Sequence, residues 1–373
     1  MECAPQRTRR AGLYAIADGR KPLRSRARHR CLNNLKMTSV SKTHRFCVAP
    51  MLDWTDRHER YFLRLLSRHA RLYTEMVTTG ALLHGDVQRH LAFDPAEHPV
   101  ALQLGGSNPE ELSRCAVLGV AAGFDEINLN VGCPSDRVQN GRFGACLMAD
   151  AALVAECVQA MKDSVAVPVS VKCRTGINAL DSDAFLENFI SPVKDAGCDV
   201  LIIHARIAIL EGLSPKENRE IPPLNYERVF RMKRAFPELP IVINGGIRTL
   251  EHAQEMLSQV DGVMLGREVY HNPWLLSEVD AKLFGENGNV DSRTEVLRQF
   301  LPYVERELAA GTSLQHITRH ILGIFHGVPG GKAFRRHLSE NAWRKNAGLS
   351  VLEDAIGRVS DFAWKNEYED LQE

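Results

Sequence analysis

The residues of this sequence that could do chemistry follow short apolar runs at regular intervals. Cys133 lies in a Gly-Cys-Pro turn after one run, and Lys172 and His204 lie at the ends of the next two. A thiol with an ordinary pKa of about 8.5 stays protonated at neutral pH and can donate that proton. Taken singly, each residue has a structural explanation as well: an inert buried cysteine, a salt-bridged lysine or a core histidine.

Amide side chains accompany these groups. Asn128 and Asn130 lie on one face of a buried run, and Gln103 lies near the end of the run before it. A buried amide without hydrogen-bond partners costs about 1–3 kcal/mol. We therefore interpret the two asparagines as evidence for a bound ligand. Gln103 could offer a donor and an acceptor to the edge of a planar ring, although a simple turn explains it equally well.

Three further runs end in groups suited to a planar ring and a phosphate. Ala49-Pro50-Met51-Leu52 forms an apolar turn that could lie flat against a ring or simply pack. Asn244-Gly245-Gly246 and Gly266-Arg267 supply glycine amides and a guanidinium. Many barrels hold a phosphate with such groups.

Eight apolar runs alternate with helical stretches, which is typical of repeated βα units. An open doubly wound sheet usually has fewer strands, and its G-x-G-x-x-G sequence is absent. We predict a (β/α)8 TIM barrel, in which the strand ends bring the residues above to one mouth. The predicted strands are Arg45–Leu52, Leu72–Val77, Val100–Gly105, Glu126–Val131, Pro168–Cys173, Val200–His204, Ile241–Asn244 and Gly262–Leu265.

Helix start signals support the same organisation. Asn108-Pro109 followed by two glutamates predicts a helix, and Ser182–Ala196 and Thr249–Gln259 have similar starts. After about Gly285 only helices are predicted, at Arg293–Ala310, Leu314–Phe325, Ala333–Asn341 and Val351–Trp364. We therefore divide the chain into a basic extension (1–43), a barrel (44–285) and a helical domain (286–373).

Composition excludes several classes of protein. The chain has 373 residues, 44% of them hydrophobic, which allows a barrel with an appendage. No apolar run approaches the roughly 20 residues of a membrane span, and the N-terminus lacks a secretory core, so we expect a soluble cytoplasmic protein. The nine cysteines include no C-x-x-C pair, so we expect neither disulfides nor a metal site. We also expect a monomer.

The formal net charge of zero hides an asymmetry. Eleven of the 46 Lys and Arg residues lie in residues 1–43, but only Glu2 and Asp18 of the 46 acids do. The rest of the chain is therefore net acidic, and only locally clustered cations could bind an acidic polymer. The basic segment has three open interpretations: a nucleic-acid arm, a transit-like peptide, or untranslated sequence before a true start at Met37.

Together these segments resemble the tRNA-dihydrouridine synthases. The similarity covers residues 44 to about 345 and is carried by Ala49–Asp56 (APMLDWTD), Asn130–Ser135 (NVGCPS) and Leu213–Arg219 (LSPKENR). The third motif points to the DusA branch. The resemblance implies an FMN-dependent barrel enzyme, with NADPH rather than NADH as reductant, that reduces uridines 20 and 20a of the tRNA D-loop.

The resemblance also implies roles for individual residues. Cys133 would be the general acid that protonates C5 of the base, while hydride reaches C6. Contacts to tRNA are implied for Asn130, Lys216, Arg219, Lys332 and Arg335. Contacts to FMN are implied for Pro50, Met51, Leu52, Gln103, Lys172, His204, Asn244, Gly245, Gly246, Gly266 and Arg267.

One departure from the branch lies after the sixth predicted strand. Ile207 and Ile209 stand where the branch usually has a lysine and then a tryptophan. We expect these isoleucines to weaken RNA affinity without abolishing flavin binding. Surface charge selected for solubility is the alternative explanation for the four basic tRNA residues.

Three other functions remain open from the sequence. The first is a flavin barrel that reduces a free small molecule such as a dihydropyrimidine or a quinone; the basic helical appendage argues against it. The second is a Schiff-base aldolase that uses Lys172 and a sugar phosphate. The third is a tRNA-binding protein without activity, which an intact Cys133 disfavours.

Overall fold

The computed structural model describes residues 43–135 and 141–369, with side chains described as far as residue 359. Except for Thr43, the predicted basic extension lies outside the described residues. Eight strands form the centre of the fold. They are β1 (Phe46–Val48), β2 (Leu72–Thr78), β3 (Val100–Gly105), β4 (Glu126–Val131), β5 (Val169–Arg174), β6 (Val200–His204), β7 (Ile241–Asn244) and β8 (Gly262–Leu265).

The strands form a closed parallel barrel. Their order is β1-β8-β7-β6-β5-β4-β3-β2, and every neighbouring pair is parallel. The two ends of this sheet meet where Arg71 bridges to β1: Val48 N donates to Arg71 O (2.9 Å) and Arg71 N donates to Phe46 O (2.9 Å). The predicted TIM barrel is confirmed.

The predicted strands differ from the observed ones at a few ends. The prediction for β1, Arg45–Leu52, is too long, because Pro50 has no backbone N–H and the chain turns: Trp54 N and Thr55 N both donate to Met51 O. The strand β5 begins and ends one residue later than predicted, and β2 extends one residue further.

Helices follow the strands around the barrel. Asn108 and Ser182 cap two of them as predicted, accepting hydrogen bonds from Glu111 N (3.0 Å) and Phe185 N (3.1 Å). The barrel helices are α1 (Arg57–Leu66), α2 (Thr79–His84), α3 (Val87–Leu91), α4 (Pro109–Ala122), α5 (Ala151–Ser164), α6 (Asp183–Asp195), α7 (Tyr226–Ala235), α8 (Leu250–Met256) and α9 (Arg267–His271). The helix predicted at Thr249–Gln259 ends three residues early, at Met256.

The C-terminal region is helical, as predicted. It contains α10 (Arg293–Ala309), α11 (Leu314–Thr318), α12 (Gly331–Asn341) and α13 (Leu349–Glu369). The prediction of one helix over Leu314–Phe325 is wrong: α11 stops at Thr318 and turns follow. Gly323 lies so close to the barrel that an added Cβ would meet His271 O at 2.5 Å, and Gly327 has a φ of +72°. No described helix is long and apolar enough to cross a membrane.

Two apolar cores flank the strands. The larger core lies between the strands and the helices and continues into α10, where Phe300 packs on Phe62 with ring centroids 5.3 Å apart. The described residues cluster as one compact unit, and the domain boundary at residue 285 stays a prediction. The smaller core fills the barrel interior with Cys47, Ala49, Tyr73, Ala101, Val200, Ile202, Val242 and Met264. Because the interior is filled, the strand ends are where a ligand can bind.

Candidate active site

Strand alternation decides which of the predicted residues face the barrel interior. Asn128 and Ser170 are hydrogen-bonded to each other inside the barrel, so residues two positions further along β4 and β5 share that face. Ile202 and Val242 belong to the interior core, so the residues two positions further along β6 and β7 also face the interior. The inward residues nearest the mouth of the barrel are therefore Gln103, Asn130, Lys172, Arg174, His204 and Asn244.

The turn that carries Cys133 is held from two sides. The side-chain oxygen of Asn130 accepts hydrogen bonds from Gly132 N (3.1 Å) and Cys133 N (3.0 Å). Arg174 Nε donates to Gly132 O (3.1 Å). The Cys133 thiol is free, half-buried, and 3.6 Å from the hydroxyl oxygen of Ser135. This arrangement fixes the backbone while the sulfur remains accessible from the mouth.

The side-chain amides of β3 and β4 are hydrogen-bonded to one another. Asn130 Nδ2 donates to Gln103 Oε1 (2.8 Å), and Gln103 Nε2 donates to Asn128 Oδ1 (2.7 Å). Asn128 Nδ2 donates in turn to Ser170 Oγ (2.7 Å). Our inference that the asparagines require a ligand is therefore wrong. Each NH2 group can donate once more, so Gln103 and Asn130 retain one N–H each for a ligand.

Lys172 is a cation without a carboxylate partner among the described residues. Its side chain is half-buried, and burial, together with Arg174, lowers its pKa to about 8. The other groups that shift this pKa are two thiols and Arg219, none of which is a carboxylate. An anionic group at the mouth would remove the cost of this unpaired charge.

His204 lies beside the glycines that follow β7. Burial, and secondarily Arg174, lowers the pKa of His204 well below its usual value, so the imidazole is neutral at pH 7. Gly245 has a φ of +115°, and a Cβ added there would meet the His204 ring at 2.5 Å. Tyr226 OH donates to Gly245 O (2.7 Å). These contacts require glycine at position 245.

The remaining predicted cofactor residues lie around the β1 and β8 ends. Pro50 and Met51 are half-buried, whereas Leu52 is 68% exposed. Gly266 is close to the turn after β1, since an added Cβ would lie 3.4 Å from Met51 Sδ. Arg267 pairs with Glu220 (2.7 Å) in the loop after β6. In this structure its guanidinium is therefore occupied by a carboxylate.

Comparison with known proteins identifies the family. The model of the dihydrouridine synthase (Dus) family matches residues 47–360. The chain belongs to this family. It is 60% identical over 317 residues to a tRNA-dihydrouridine(20/20a) synthase of Yersinia pestis, covering 85% of this chain and 92% of the relative. It is 59% identical over 325 residues to the enzyme of that name from Escherichia coli strain K12, covering 87% and 94%.

A solved structure of a 2-naphthoyl-CoA reductase complex is a more distant match. It aligns with 63% of this chain at a TM-score of 0.48 and 13% identity, and the chain spans 49% of its length. This similarity is too low to bear on function. The family membership makes this chain an enzyme and removes the Schiff-base aldolase from the open alternatives.

In this dihydrouridine synthase the predicted tRNA contacts lie in two places. Lys216 and Arg219 are exposed in the loop after β6, where Glu217–Arg219 forms a short 3-10 helix. Lys332 is exposed on α12, and Arg335 lines a groove beside it. The structure thus places one pair at the barrel mouth and the other on the C-terminal helices.

The groove at Arg335 consists of two adjoining depressions that share Arg319 and Leu322. Trp343, with 63% of its surface exposed, lines one of them. The linings contain no aspartate or glutamate; they comprise Tyr270, His271, Gln315, Thr318, Arg319, Leu322, Gly323, His326, Arg335, Leu338, Ser339, Ala342 and Trp343. Arg319 pairs with Asp56 (2.7 Å), so Arg335 is the lining arginine without a carboxylate partner in the described residues, and it can attract a polyanion even on a net acidic body.

Sequence reasoning missed Arg174 and Trp343 as site residues. Arg174 ends β5 and is only 4% exposed. Its position two residues after Lys172 was a usable signal, because strand residues two apart share a face. The sequence Trp343-Arg344-Lys345 combines an aromatic with two cations, which is typical of RNA-binding surfaces.

Proposed function

We propose that this enzyme reduces the C5–C6 double bond of uridine to 5,6-dihydrouridine at positions 20 and 20a of tRNA. The relatives named above carry that substrate and those positions in their names. The observation that carries the proposal is the half-buried Cys133 thiol at the barrel mouth, beside Lys172, which has no carboxylate partner among the described residues. A tRNA substrate also implies a cytoplasmic location.

The residues at the mouth fit FMN as the cofactor. Lys172 offers an unpaired cation to an anionic ring, and Gln103 has one free N–H for a ring edge. Gly245, Gly246, Gly266 and Arg267 follow the last two strands, where barrels commonly bind phosphate. Pro50 and Met51 present an apolar surface beside Gly266, in the turn after β1. When bound and reduced by NADPH, FMN supplies the hydride that adds to C6.

Cys133 completes the reduction by donating its proton. Hydride addition at C6 leaves negative charge on C5 and O4 of the pyrimidine, and the C5–H bond forms as the Cys133 S–H bond breaks. Solvent then returns a proton to the thiolate. Each turnover therefore consumes one NADPH and one proton and releases NADP+. Asn130, with one N–H remaining, can donate to the base in this position.

The substrate base must leave the folded tRNA to reach Cys133. Extruding a stacked nucleotide costs a few kcal/mol, which contacts to other parts of the RNA must offset. Lys216 and Arg219 lie near the mouth, and Arg335 lines a groove whose lining has no carboxylate. Neither Lys216 nor Arg335 forms an ion pair within the described part of the chain, so both are available to phosphates.

The decisive experiment is mass-spectrometric mapping of tRNA from cells that lack this protein. We expect dihydrouridine to be absent at positions 20 and 20a and restored by the wild-type gene but not by Cys133→Ala. Cys146→Ala is the matched control, because Cys146 is also a half-buried free thiol. Unchanged dihydrouridine in the deletion strain would refute the proposed substrate.

A second experiment separates tRNA from small-molecule substrates. Purified enzyme reconstituted with FMN is given NADPH or NADH together with unmodified tRNA, free uridine or a quinone. We expect oxidation of NADPH to be stimulated by tRNA and only weakly by free uridine. Faster turnover with the quinone than with tRNA would favour the small-molecule alternative.

A further inference from the structure

A buried charged cluster closes the end of the barrel opposite the active site. Glu126, fully buried, accepts a hydrogen bond from Tyr73 OH (2.9 Å) and pairs with His44 (2.5 Å) and Arg71 (3.2 Å). Burial opposes its ionisation, but His44 and Arg71 outweigh that effect and lower its pKa to about 2. Glu126 is therefore an anion fixed in place at the first residue of β4.

This anion is connected to the active site by side chains. Ser170 Oγ donates to Glu126 Oε1 and accepts from Asn128 Nδ2. Asn128 then joins the amide series of Gln103 and Asn130 described above. The last side chain of the connection is Asn130, four residues along β4 from Glu126, a rise of about 13 Å, and its oxygen accepts from the backbone N–H groups of Gly132 and Cys133.

All of these hydrogen bonds run in the same direction. Each side chain donates toward Glu126 and accepts from the side of Cys133. The two ends require this direction independently, because an ionised carboxylate can only accept and a backbone N–H can only donate. Reversing the amides would place the NH2 group of Asn130 against two N–H groups. One orientation alone satisfies every member, and such fully satisfied buried networks are rigid.

We propose that Glu126 and Ser170 are positioning residues for the reaction, acting on Cys133 through Asn128, Gln103 and Asn130. They hold the Asn130 side-chain oxygen under the N–H groups of Gly132 and Cys133, and so fix the thiol relative to the substrate base. The proposal rests on the function proposed above, in which Cys133 protonates C5. It assigns a catalytic consequence to residues at the closed end of the barrel.

The test compares three serine variants of the FMN-loaded enzyme. Ser170→Ala removes the connection and Ser170→Thr keeps the hydroxyl. Ser277→Ala is the control, because Ser277 is similarly buried (8% exposed) but donates to Trp274 O, away from this network. The reduction of the enzyme by NADPH and its single-turnover oxidation by tRNA are measured separately, the latter in H2O and D2O.

We expect Ser170→Ala to slow oxidation by tRNA about 10-fold, since a misplaced proton donor loses part of the 10²–10⁴-fold that such groups contribute. The solvent isotope effect on that step should rise, and reduction by NADPH should change less. Ser170→Thr should recover most of the rate. A merely structural role would affect both half-reactions alike and leave the isotope effect unchanged, which would overturn the proposal.

A measurement independent of activity is the rate at which iodoacetamide alkylates Cys133, followed by mass spectrometry. We expect this rate to change in Ser170→Ala but not in Ser277→Ala, with Cys146 as internal reference. Equal rates in the two variants overturn the proposal. Should Ser170→Ala fail to fold, Glu126→Gln takes its place under the same criteria. Normal oxidation by tRNA in Cys133→Ala would instead refute the proposed role of the thiol, while alkylation would still report on the network.

Discussion

Arg174 links the Cys133 turn to the loop after β6 by hydrogen bonds. Replacing it with methionine tests how much this link contributes to stability and to the rate of uridine reduction. The guanidinium donates to Gly132 O (3.1 Å), to Ile207 O (3.3 Å) and to Asn218 O (3.0 Å). No carboxylate within the described residues pairs with it. Methionine keeps the length and the apolar stem of the side chain but offers no donor.

The expected loss of stability is small because two effects oppose each other. Three hydrogen bonds from a charged donor contribute at least about 1.5 kcal/mol each. Burial lowers the pKa of Arg174 from 12.5 to about 10, which corresponds to roughly 3 kcal/mol against holding the charge there. The difference is roughly 1–2 kcal/mol. The catalytic loss should be larger, since displacement of a catalytic group by about 1 Å can cost about 100-fold in rate.

The assay for Arg174→Met is single-turnover uridine reduction beside thermal unfolding. Arg228→Met is the matched control: Arg228 is also a buried arginine (8% exposed), but it pairs with Asp181 and Asp183 outside the barrel. We expect Arg228→Met to lose stability and to keep its rate of uridine reduction. Arg174→Met should lose little stability and much of its rate. A rate for Arg174→Met within threefold of wild type would show that the link does not position Cys133.

Three further changes should have separable effects. The affinity of the apoprotein for FMN should fall as pH rises through about 8, because Lys172 then loses its charge, and titration of Lys172→Met should lack this dependence. Ile207→Lys should tighten tRNA binding measured by filter binding, without changing FMN affinity; no change would refute our interpretation of the loop after β6. Trp343→Ala should weaken tRNA binding about 10-fold if a base stacks on the exposed indole, and Trp343→Phe should lose less.

The sequence predicted the barrel well because its signals are local. Each strand is a short apolar run buried on both faces, and seven of the eight predicted strands match the observed bounds to within one residue at both ends, β1 being the exception. The helix predicted over Leu314–Phe325 failed for a tertiary reason. Gly323 packs against His271 O of the barrel, and no local pattern reveals that contact.

The candidate site was predictable in its members but not in its connections. The alternation of side chains along a strand is enough to place Gln103, Asn130 and Lys172 on the inward face. That Gln103 and Asn130 bond to each other depends on the register between β3 and β4, where Gln103 pairs with Asn128. Our inference of a ligand from buried amides failed for this reason, because a neighbouring strand supplied the partners that the sequence could not show.

The backbone around Cys133 is more restrained than its position in a loop suggests. A turn between a strand and a helix is usually the mobile part of a barrel. Here the turn is bonded below to Asn130, beside it to Arg174, and at Cys133 O to Ala145 N (2.9 Å). These hydrogen bonds fix the backbone of Gly132 and Cys133, and the thiol donates to the Ser135 hydroxyl (3.6 Å). The thiol has to reach a carbon of a base that has been extruded from the tRNA. Because the backbone that carries the thiol is fixed, the base must adjust its position to the enzyme.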